Sequence, residues 1–200
     1  MIKLKTPLEE SEIRDLNVGD IVSLDGTIIT MRDAGHKRIL DILRQGLKPP
    51  LDLHGQVIFH AGPVVKKKDS RWKIVSIGPT TSWRMEPYEA EVIAKTGIRM
   101  IIGKGLMGVK TVEACKRYGA VYVAYPGGLA ALASKCVKRV IDVKWLDLGV
   151  PEALWILEVK NFAPLTVIID SKGRNLYKKR MDEVMRNLNL IKEKLKVTFS

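Results

Sequence analysis

Cysteine is scarce in this sequence, which contains only Cys115 and Cys136 among its 200 residues. Neither lies in a CxxC pair or in a cluster with histidine, so the chain by itself offers no set of thiolates for a metal centre. Cys115 falls in a predicted helix, and we expect both thiols to be buried and unreactive. We also expect no metal ligand in this chain.

Long apolar runs are lacking as well. No stretch approaches the roughly 20 apolar residues that a membrane-spanning helix needs, and residues 1–5 do not have the apolar core of a signal peptide. We therefore expect no membrane association and a cytoplasmic location. Hydrophobic residues make up 46% of the chain, which is enough for a substantial core.

Aromatic residues make up only 6% of the chain, whereas its net charge is +12. A positive charge of this size suits nucleic-acid binding. However, the basic residues at 66–68 and near the C-terminus lack an aromatic stacking platform, and no known nucleic-acid motif is present. Nucleic-acid binding is the weaker interpretation, since a positive field also suits a dianionic substrate or an acidic partner.

The spacing of apolar residues predicts an α/β fold with a mixed β-sheet, in a single domain that spans residues 1–200. The middle of the chain has the pattern of a βαβ unit. An apolar stripe from Tyr177 to Leu195 predicts a helix face for the core or for an interface. The predicted elements are a β-hairpin over 16–30, a helix over 36–43, a strand at 57–60, a polar loop at 66–71, a strand at 73–77, a helix over 86–95, a strand at 100–102, a helix over 109–118, a strand at 121–124, a short helix near 129–134, strands near 137–143, 154–159 and 166–170, and a helix from about Tyr177 to Lys196.

The segment GPTTSWRM, residues 78–85, lies between a predicted strand and a predicted helix. Backbone N–H groups at such a turn point towards a ligand, and the helix dipole favours an anion there. Arg84 would add a bidentate clamp for a carboxylate or phosphate. Alternatively, Thr80, Thr81 or Ser82 could simply cap the helix. The segment predicts a site for a small acid.

A second segment, TMRDAGHKR at residues 30–38, also lies between a predicted strand and a predicted helix. From the residues alone, Arg32 is best explained by a surface salt bridge with Asp33 or Asp41. His36 lies one helical turn after Arg32, so the two share a helix face if the helix begins that early. His36 could orient the arginine or serve a purely structural purpose.

Residues 103–108, GKGLMG, match the GxGxxG pattern and fall between a predicted strand and a predicted helix. That context is typical of a dinucleotide-binding loop. Two observations argue against a dinucleotide: no acidic residue follows about 20 positions later, and the loop is not in the first βα turn. Even without a dinucleotide, Gly103 and Gly105 would let the backbone approach an anion, and Lys104 adds a positive charge. A dinucleotide-binding module remains an alternative of a different class.

Taken together, GPTTSWRM and TMRDAGHKR resemble the C-terminal domain of class I fumarases and L-tartrate dehydratases, which in many prokaryotes is a separate β subunit. The resemblance extends from residues 16–20 to residues 170–173. It implies a fold of the swivelling β/β/α type. It also implies a hydro-lyase that hydrates fumarate to malate, with L-tartrate dehydration or mesaconate hydration as alternatives that the motifs do not separate.

The resemblance assigns roles to residues of this chain. It implies that Thr80 is the catalytic base, that Arg32 and Arg84 bind substrate carboxylates, and that Lys104 contacts the substrate. The position after Lys104-Gly105 is usually polar in the family, whereas Leu106 occupies it here. Candidate supporting residues around these groups are His36, Thr81, Gly103 and Gly105.

The resemblance also implies a partner. Hydration of a carbon–carbon double bond flanked by carboxylates needs carboxylate clamps, a base, charge stabilisation and a Lewis acid. The chain offers no Lewis acid of its own. The resemblance supplies one in a [4Fe–4S] cluster held by an α subunit, so we expect a hetero-oligomer, and an isolated chain that could form a homodimer.

Overall fold

Nine strands and six α-helices lie within residues 1–69 and 71–195, the part of the chain that this computed structural model describes. The strands are β1 (Ile2–Lys5), β2 (Ile21–Thr30), β3 (Val57–Phe59), β4 (Val64–Lys68), β5 (Arg71–Ser76), β6 (Met100–Gly103), β7 (Val121–Ala124), β8 (Val137–Lys144) and β9 (Leu154–Ile169). The helices are α1 (Glu10–Asp15), α2 (Asp33–Arg44), α3 (Glu86–Thr96), α4 (Val109–Tyr118), α5 (Ala130–Cys136) and α6 (Leu176–Leu195).

The main sheet has the strand order β1-β2-β3-β6-β7-β9-β8. Strands β1, β2, β3, β6 and β7 are parallel, whereas β8 and β9 run antiparallel to their neighbours. Strand β9 pairs with β7 and β8 along one edge and with β2 along the other, which closes the sheet into a barrel-like ring. The predicted α/β fold with a mixed sheet is thereby confirmed.

Alternate residues of the central strands contribute to two apolar clusters, as the two-residue period of a strand requires. Phe59 and Ile102 belong to the first cluster, together with Trp155 and Phe162 of β9. Ile101 belongs to the second cluster, which also contains side chains of α2, α3 and α4. Because the short parallel strands are buried on both faces, their sequences are continuously apolar.

Three sequence predictions are wrong in ways that have local causes. The expected hairpin over 16–30 is a single strand, because Gly26 adopts a φ of +103° and forms a bulge against β9 instead of reversing the chain. In place of the expected polar loop at 66–71, residues 66–68 belong to β4 and Arg71 begins β5, and Lys67 pairs with Trp72 and lies over its ring. The strands expected near 154–159 and 166–170 form one strand, β9.

The C-terminal helix α6 begins close to its predicted start, and its predicted end at Lys196 lies outside the described residues. Its apolar stripe is exposed: Met181 is 60% exposed and Val184 is 57% exposed. Of the two predicted uses of this stripe, burial in the core of this chain is therefore wrong. None of the helices in the described part of the chain is long and apolar enough to cross a membrane.

The parallel arrangement brings distant segments to one edge of the sheet. Strands β2, β3, β6 and β7 all end there, and the residues that follow them include Arg32, His60, Lys104 and Gly127. The carboxyl ends of parallel strands are where both open and barrel-forming α/β sheets bind ligands. The fold therefore places the segments predicted from the sequence at the edge of the sheet where a ligand would bind.

The bulge in β2 generates a stability prediction. Replacing Gly26 by alanine would force a left-handed backbone on a residue with a side chain and would drive its Cβ into Thr6. Gly19 has a similar φ of +91° but open space around it. We expect Gly19→Ala to lower the free energy of unfolding by about 1–2 kcal/mol. Gly26→Ala should lower the free energy of unfolding by a further ~1–3 kcal/mol, because its Cβ would overlap Thr6. Urea unfolding of both variants checks this, and equal losses would contradict it.

Candidate active site

The segment 78–85 crosses the carboxyl ends of β3 and β6. The Thr80 N–H donates to the carbonyl of His60 at 2.7 Å, and the Ser82 N–H donates to the carbonyl of Lys104 at 2.9 Å. In return, the Lys104 N–H donates to the Ser82 hydroxyl at 3.0 Å. These bonds hold Thr80 and Lys104 at the same edge. They also occupy backbone N–H groups, so anion binding here depends more on side chains than the sequence suggested.

The two threonines of the segment are not used as helix caps. The chain enters a 3₁₀ turn at Ser82–Met85 before α3 begins, and Thr81 precedes that turn without a side-chain capping bond. The Thr80 hydroxyl, which is partly buried, makes no hydrogen bond to any other residue in the described part of the chain. Thr80 is thus free to bond a ligand.

Arg32 follows β2 and pairs with neither Asp33 nor Asp41. Its Nη2 lies 3.2 Å from Oε1 of Glu152, and its side chain is 19% exposed. The buried Nε has no hydrogen-bond partner within residues 1–69 and 71–195. Arg32 therefore keeps an unsatisfied donor, which is costly unless a ligand supplies an acceptor.

Arg84 is linked to the residue after Arg32. Its Nε donates to Oδ1 of Asp33 at 3.0 Å, and its Nη2 lies 2.8 Å from Oδ2. This pair fastens the 78–85 segment to the start of α2. The side chain of Arg84 is half exposed, and Nη1 forms no bond with the described residues, so it can still donate to a carboxylate.

Lys104 is the third cation at this edge. It is exposed, and its side-chain stem passes over Gly127, where a Cβ would lie 3.1 Å from Cδ of the lysine. Its ammonium forms no ion pair with the described residues. Gly103 and Gly105, which flank it, make room for Ser82 and allow the left-handed turn (φ +80°) that follows the lysine.

A buried polar cluster lies beneath these segments. Oε2 of Glu89 is 2.8 Å from Nε2 of His60 and 3.1 Å from Nε2 of His36. Nδ1 of His36 is 2.9 Å from the carbonyl of Arg32, and Nδ1 of His60 is 3.0 Å from the Ser82 hydroxyl. His36, His60, Ser82 and Glu89 are fully buried. His36 thus holds the backbone of Arg32 and forms no hydrogen bond with its guanidinium.

Sequence reasoning missed Glu89, His60 and Ser82 as parts of the site. A histidine directly after a buried strand is a weak signal that could have singled out His60. Nothing in the sequence distinguishes Glu89, because Glu86 and Glu91 lie in the same helix. Only the tertiary fold brings Glu89 under the strand ends.

The cluster has a defined charge distribution. Burial would raise the pKa of Glu89, but the charges and hydrogen bonds of His60 and His36 outweigh it and lower the pKa to about 2. Burial also opposes the charged form of both histidines. For His36 the carboxylate of Glu89 prevails and the pKa is raised, whereas for His60 burial prevails and the pKa is lowered. We infer a Glu89 carboxylate paired with a charged His36 and a neutral His60.

The glycine loop has the context of a dinucleotide site but not its electrostatics. It connects β6 to α4, as predicted. However, the Glu86 carboxylate accepts hydrogen bonds from the Gly108 N–H at 2.7 Å and from the Thr111 hydroxyl at 2.6 Å. A protein carboxylate therefore occupies the helix N-terminus that would bind a pyrophosphate. The structure does not favour the dinucleotide alternative.

The two cysteines differ in their surroundings. Cys115 is buried in α4, and burial raises the pKa of its thiol. Cys136 ends α5 and is only partly buried, so the expectation of burial is wrong for this thiol. A [4Fe–4S] cluster needs several thiolates, and this donor set does not fit one.

A family model described as "Fumarase C-terminus" matches residues 1–180. Among curated proteins, the chain is 46% identical over 173 residues to the L(+)-tartrate dehydratase subunit beta of Escherichia coli (strain K12), covering 86% of this chain and 85% of the relative. It is 48% identical over 183 residues to the putative L(+)-tartrate dehydratase subunit beta of Methanocaldococcus jannaschii, covering 91% and 94%.

A longer relative is also similar. The putative fumarate hydratase class I of Geobacillus stearothermophilus is 42% identical over 194 residues, which are 96% of this chain but 37% of the relative. In that protein the matching region is therefore one part of a longer chain.

The charge of Glu89 generates a pH prediction. Its pKa of about 2 in the folded chain is below its ordinary value of 4.5, so the folded state binds fewer protons between these pH values. The ionised Glu89 therefore contributes fully to the free energy of unfolding above about pH 4.5. This contribution, up to about 3 kcal/mol, is lost as the pH falls towards 2. Urea unfolding of wild type and Glu89→Gln across this range should show a shrinking difference in stability. A difference that stays constant with pH would contradict the assignment.

Proposed function

We propose, from the premise that this chain belongs to the fumarase C-terminus family, that it is the β subunit of a hydro-lyase acting on a small dicarboxylate. The main candidate reaction is the reversible hydration of fumarate to malate. The single observation that carries the proposal is that the segments bearing three cationic side chains and a free threonine hydroxyl meet at one edge of the sheet. L-Tartrate dehydration is the second candidate, because the relatives at 46% and 48% identity carry that name.

The three cations suit the two ends of a dicarboxylate. Arg32 has a buried donor without a partner, and Arg84 keeps Nη1 available beside its pair with Asp33. Guanidinium groups bind carboxylates with two parallel hydrogen bonds, and an ammonium group adds a compact charge. We assign Arg32 and Arg84 to the substrate carboxylates and Lys104 to the charge that develops on the carboxylate next to the reacting carbon.

Thr80 is the proposed base. In the hydration direction it would donate a proton to the carbon next to a carboxylate, and in dehydration it would remove that proton. A threonine hydroxyl is a weak base, so neighbouring positive charge must stabilise its deprotonated form. The free hydroxyl of Thr80 and the nearby cations Arg84 and Lys104 support this assignment.

The remaining requirement is a Lewis acid, which the resemblance identifies as a [4Fe–4S] cluster. Because the donor set of this chain does not fit a cluster, we assign the cluster to a partner α subunit. The name "subunit beta" of the relatives also implies such a partner. We propose an enzyme in which the β subunit binds the dicarboxylate and supplies the base.

The surface around the candidate site supports a partner that covers it. Trp83 is 57% exposed, Leu106 52% and Val109 76%, and they lie beside Arg84 and Lys104 in the chain. Trp83 and Val109 line an open groove of about 400 Å³. Exposed apolar residues around charged groups are typical of an interaction surface.

The proposed function predicts that activity needs two chains. The β chain should be co-expressed without oxygen with its α subunit, and fumarate loss should be followed by ultraviolet absorbance. We expect turnover by the complex, none by either chain alone, and loss of activity on exposure to oxygen. Turnover of L-tartrate alone would keep the chemistry and change the substrate. A stable complex that converts neither compound would contradict the proposed function.

The role of Thr80 is tested by two matched substitutions in the complex. Thr80→Val keeps the shape and removes the hydroxyl, so kcat should fall by about 100- to 10,000-fold. Thr80→Ser keeps the hydroxyl and removes a methyl group, so it should retain measurable turnover. Steady-state kinetics on the two variants checks this. Equal turnover by Thr80→Val and wild type would exclude Thr80 as the base.

A further inference from the structure

A continuous chain of hydrogen bonds connects the backbone of Arg32 to the backbone of Lys104. It runs from the Arg32 carbonyl through His36, Glu89, His60 and the Ser82 hydroxyl to the Lys104 N–H, with distances of 2.9, 3.1, 2.8, 3.0 and 3.0 Å. This hydrogen-bond chain therefore joins the ends of β2 and β6 through the buried side of the site.

With Glu89 ionised, the protons of this hydrogen-bond chain follow from the partners. A backbone carbonyl only accepts, so Nδ1 of His36 carries a proton. An ionised carboxylate also only accepts, so Nε2 of both His36 and His60 donates to Glu89. The Ser82 hydroxyl accepts from the Lys104 N–H and donates to Nδ1 of His60. Every donor in the chain then has an acceptor, and His36 is an imidazolium.

The same three side chains could in principle hold a metal ion, since the ligand atoms of His36, His60 and Glu89 lie within 4.8 Å of one another. Two observations favour hydrogen bonding. A closed structural site for zinc has four ligands, whereas this group has three within the described residues. In addition, both nitrogen–oxygen distances, 3.1 Å for His36 and 2.8 Å for His60, are those of hydrogen bonds.

We propose that Glu89 is a positioning residue that acts through His36, His60 and Ser82 to fix the spacing between the carboxylate clamp of Arg32 and the groups of the 78–85 segment and Lys104. The inference rests on the proposed function, because it assigns a purpose to the arrangement of that site. None of the four residues touches the substrate. Each holds a backbone or side-chain atom of a segment that does.

Glu89 is central to this arrangement because one carboxylate oxygen bonds both histidines. Each histidine in turn holds a different strand end. His36 bonds the carbonyl of Arg32 after β2, while His60 follows β3 and its carbonyl accepts the Thr80 N–H. Moving Glu89 would change the separation of two segments at once. Misplacement of reacting groups by about 1 Å can cost about 100-fold in rate, whereas flexible arginine side chains can still reach a carboxylate.

The test uses the co-expressed complex with Glu89→Gln, Ser82→Ala and the double variant. Glu89→Gln removes the charge at constant size, and Ser82→Ala cuts the chain at its other end. We expect kcat per assembled complex to fall about 10- to 100-fold in each single variant, while KM changes less than about threefold. Because both substitutions interrupt the same hydrogen-bond chain, the kcat of the double variant should be no lower than that of the slower single variant.

Glu91→Gln is the matched control, since Glu91 lies in the same helix and forms an exposed pair with Arg44. It should keep wild-type kinetics. A merely structural role would lower the yield of complex but leave kcat per complex unchanged, and that result would overturn the inference. Multiplicative effects in the double variant would do so too. If Glu89→Gln does not assemble, Ser82→Ala alone decides by its kcat and KM.

Two further outcomes are distinguishable. A wild-type complex without activity on fumarate, malate or tartrate would overturn the proposed function and this inference with it, whereas an active wild type with unchanged variants overturns the inference alone. One zinc ion per complex in the wild type that is absent from Glu89→Gln would show a metal site in place of the hydrogen-bonded chain.

Discussion

The structure depends on the pairing of strand β9 with two parts of the sheet at once. One edge of β9 pairs with β2, and the other pairs with β7 and β8. Because β2 and β7 are the first and last strands of the parallel segment β2-β3-β6-β7, this double pairing bends that segment into a ring. Closure leaves the parallel strands ending at a common edge, where four loops meet. The candidate site lies among those four loops.

Two arginines at this edge are held by carboxylates from distant parts of the chain. Glu152, which precedes β9, pairs with Arg32 and also accepts the Ala34 N–H at the start of α2. Asp33 pairs with Arg84. Such pairs preorganise the guanidinium groups while leaving other donors free. Rigid placement reduces the conformational entropy that these side chains would lose on binding a dicarboxylate.

The sequence predicted what local periodicity controls. The βαβ unit around α4 was predicted correctly because its strands are continuously apolar and its helix has a clear stripe. The long strand β9 was predicted as two because Asn161 and Pro164 are typical of a turn. In the structure, Asn161 adopts a φ of +52° and its N–H bonds the Asp25 side chain, so the strand continues. This compensation comes from another strand, which no local pattern contains.

The same limit applies to the candidate site: residues in local motifs were predicted, and residues that depend on tertiary contacts were not. Arg32, Thr80, Arg84 and Lys104 were named from motifs, and the fold brings their segments to one edge, while their roles stay predictions. Glu89 could not be named, because its partners lie 53 and 29 residues away in the chain. The importance of a buried carboxylate can be recognised only when the fold shows which groups neutralise its charge.

Carboxylates of the chain itself occupy two helix N-termini near the site, those of α4 and α2, and this limits how an anion can bind. Glu86 accepts the bonds at the start of α4, and Glu152 accepts one at the start of α2. A phosphate at either position would meet a negative charge instead of free N–H groups. In the proposed function, anion binding therefore falls to the side chains of Arg32, Arg84 and Lys104, which suit separated carboxylates better than a compact pyrophosphate. The loop that matches a dinucleotide pattern would then contribute its lysine to the binding of a dicarboxylate.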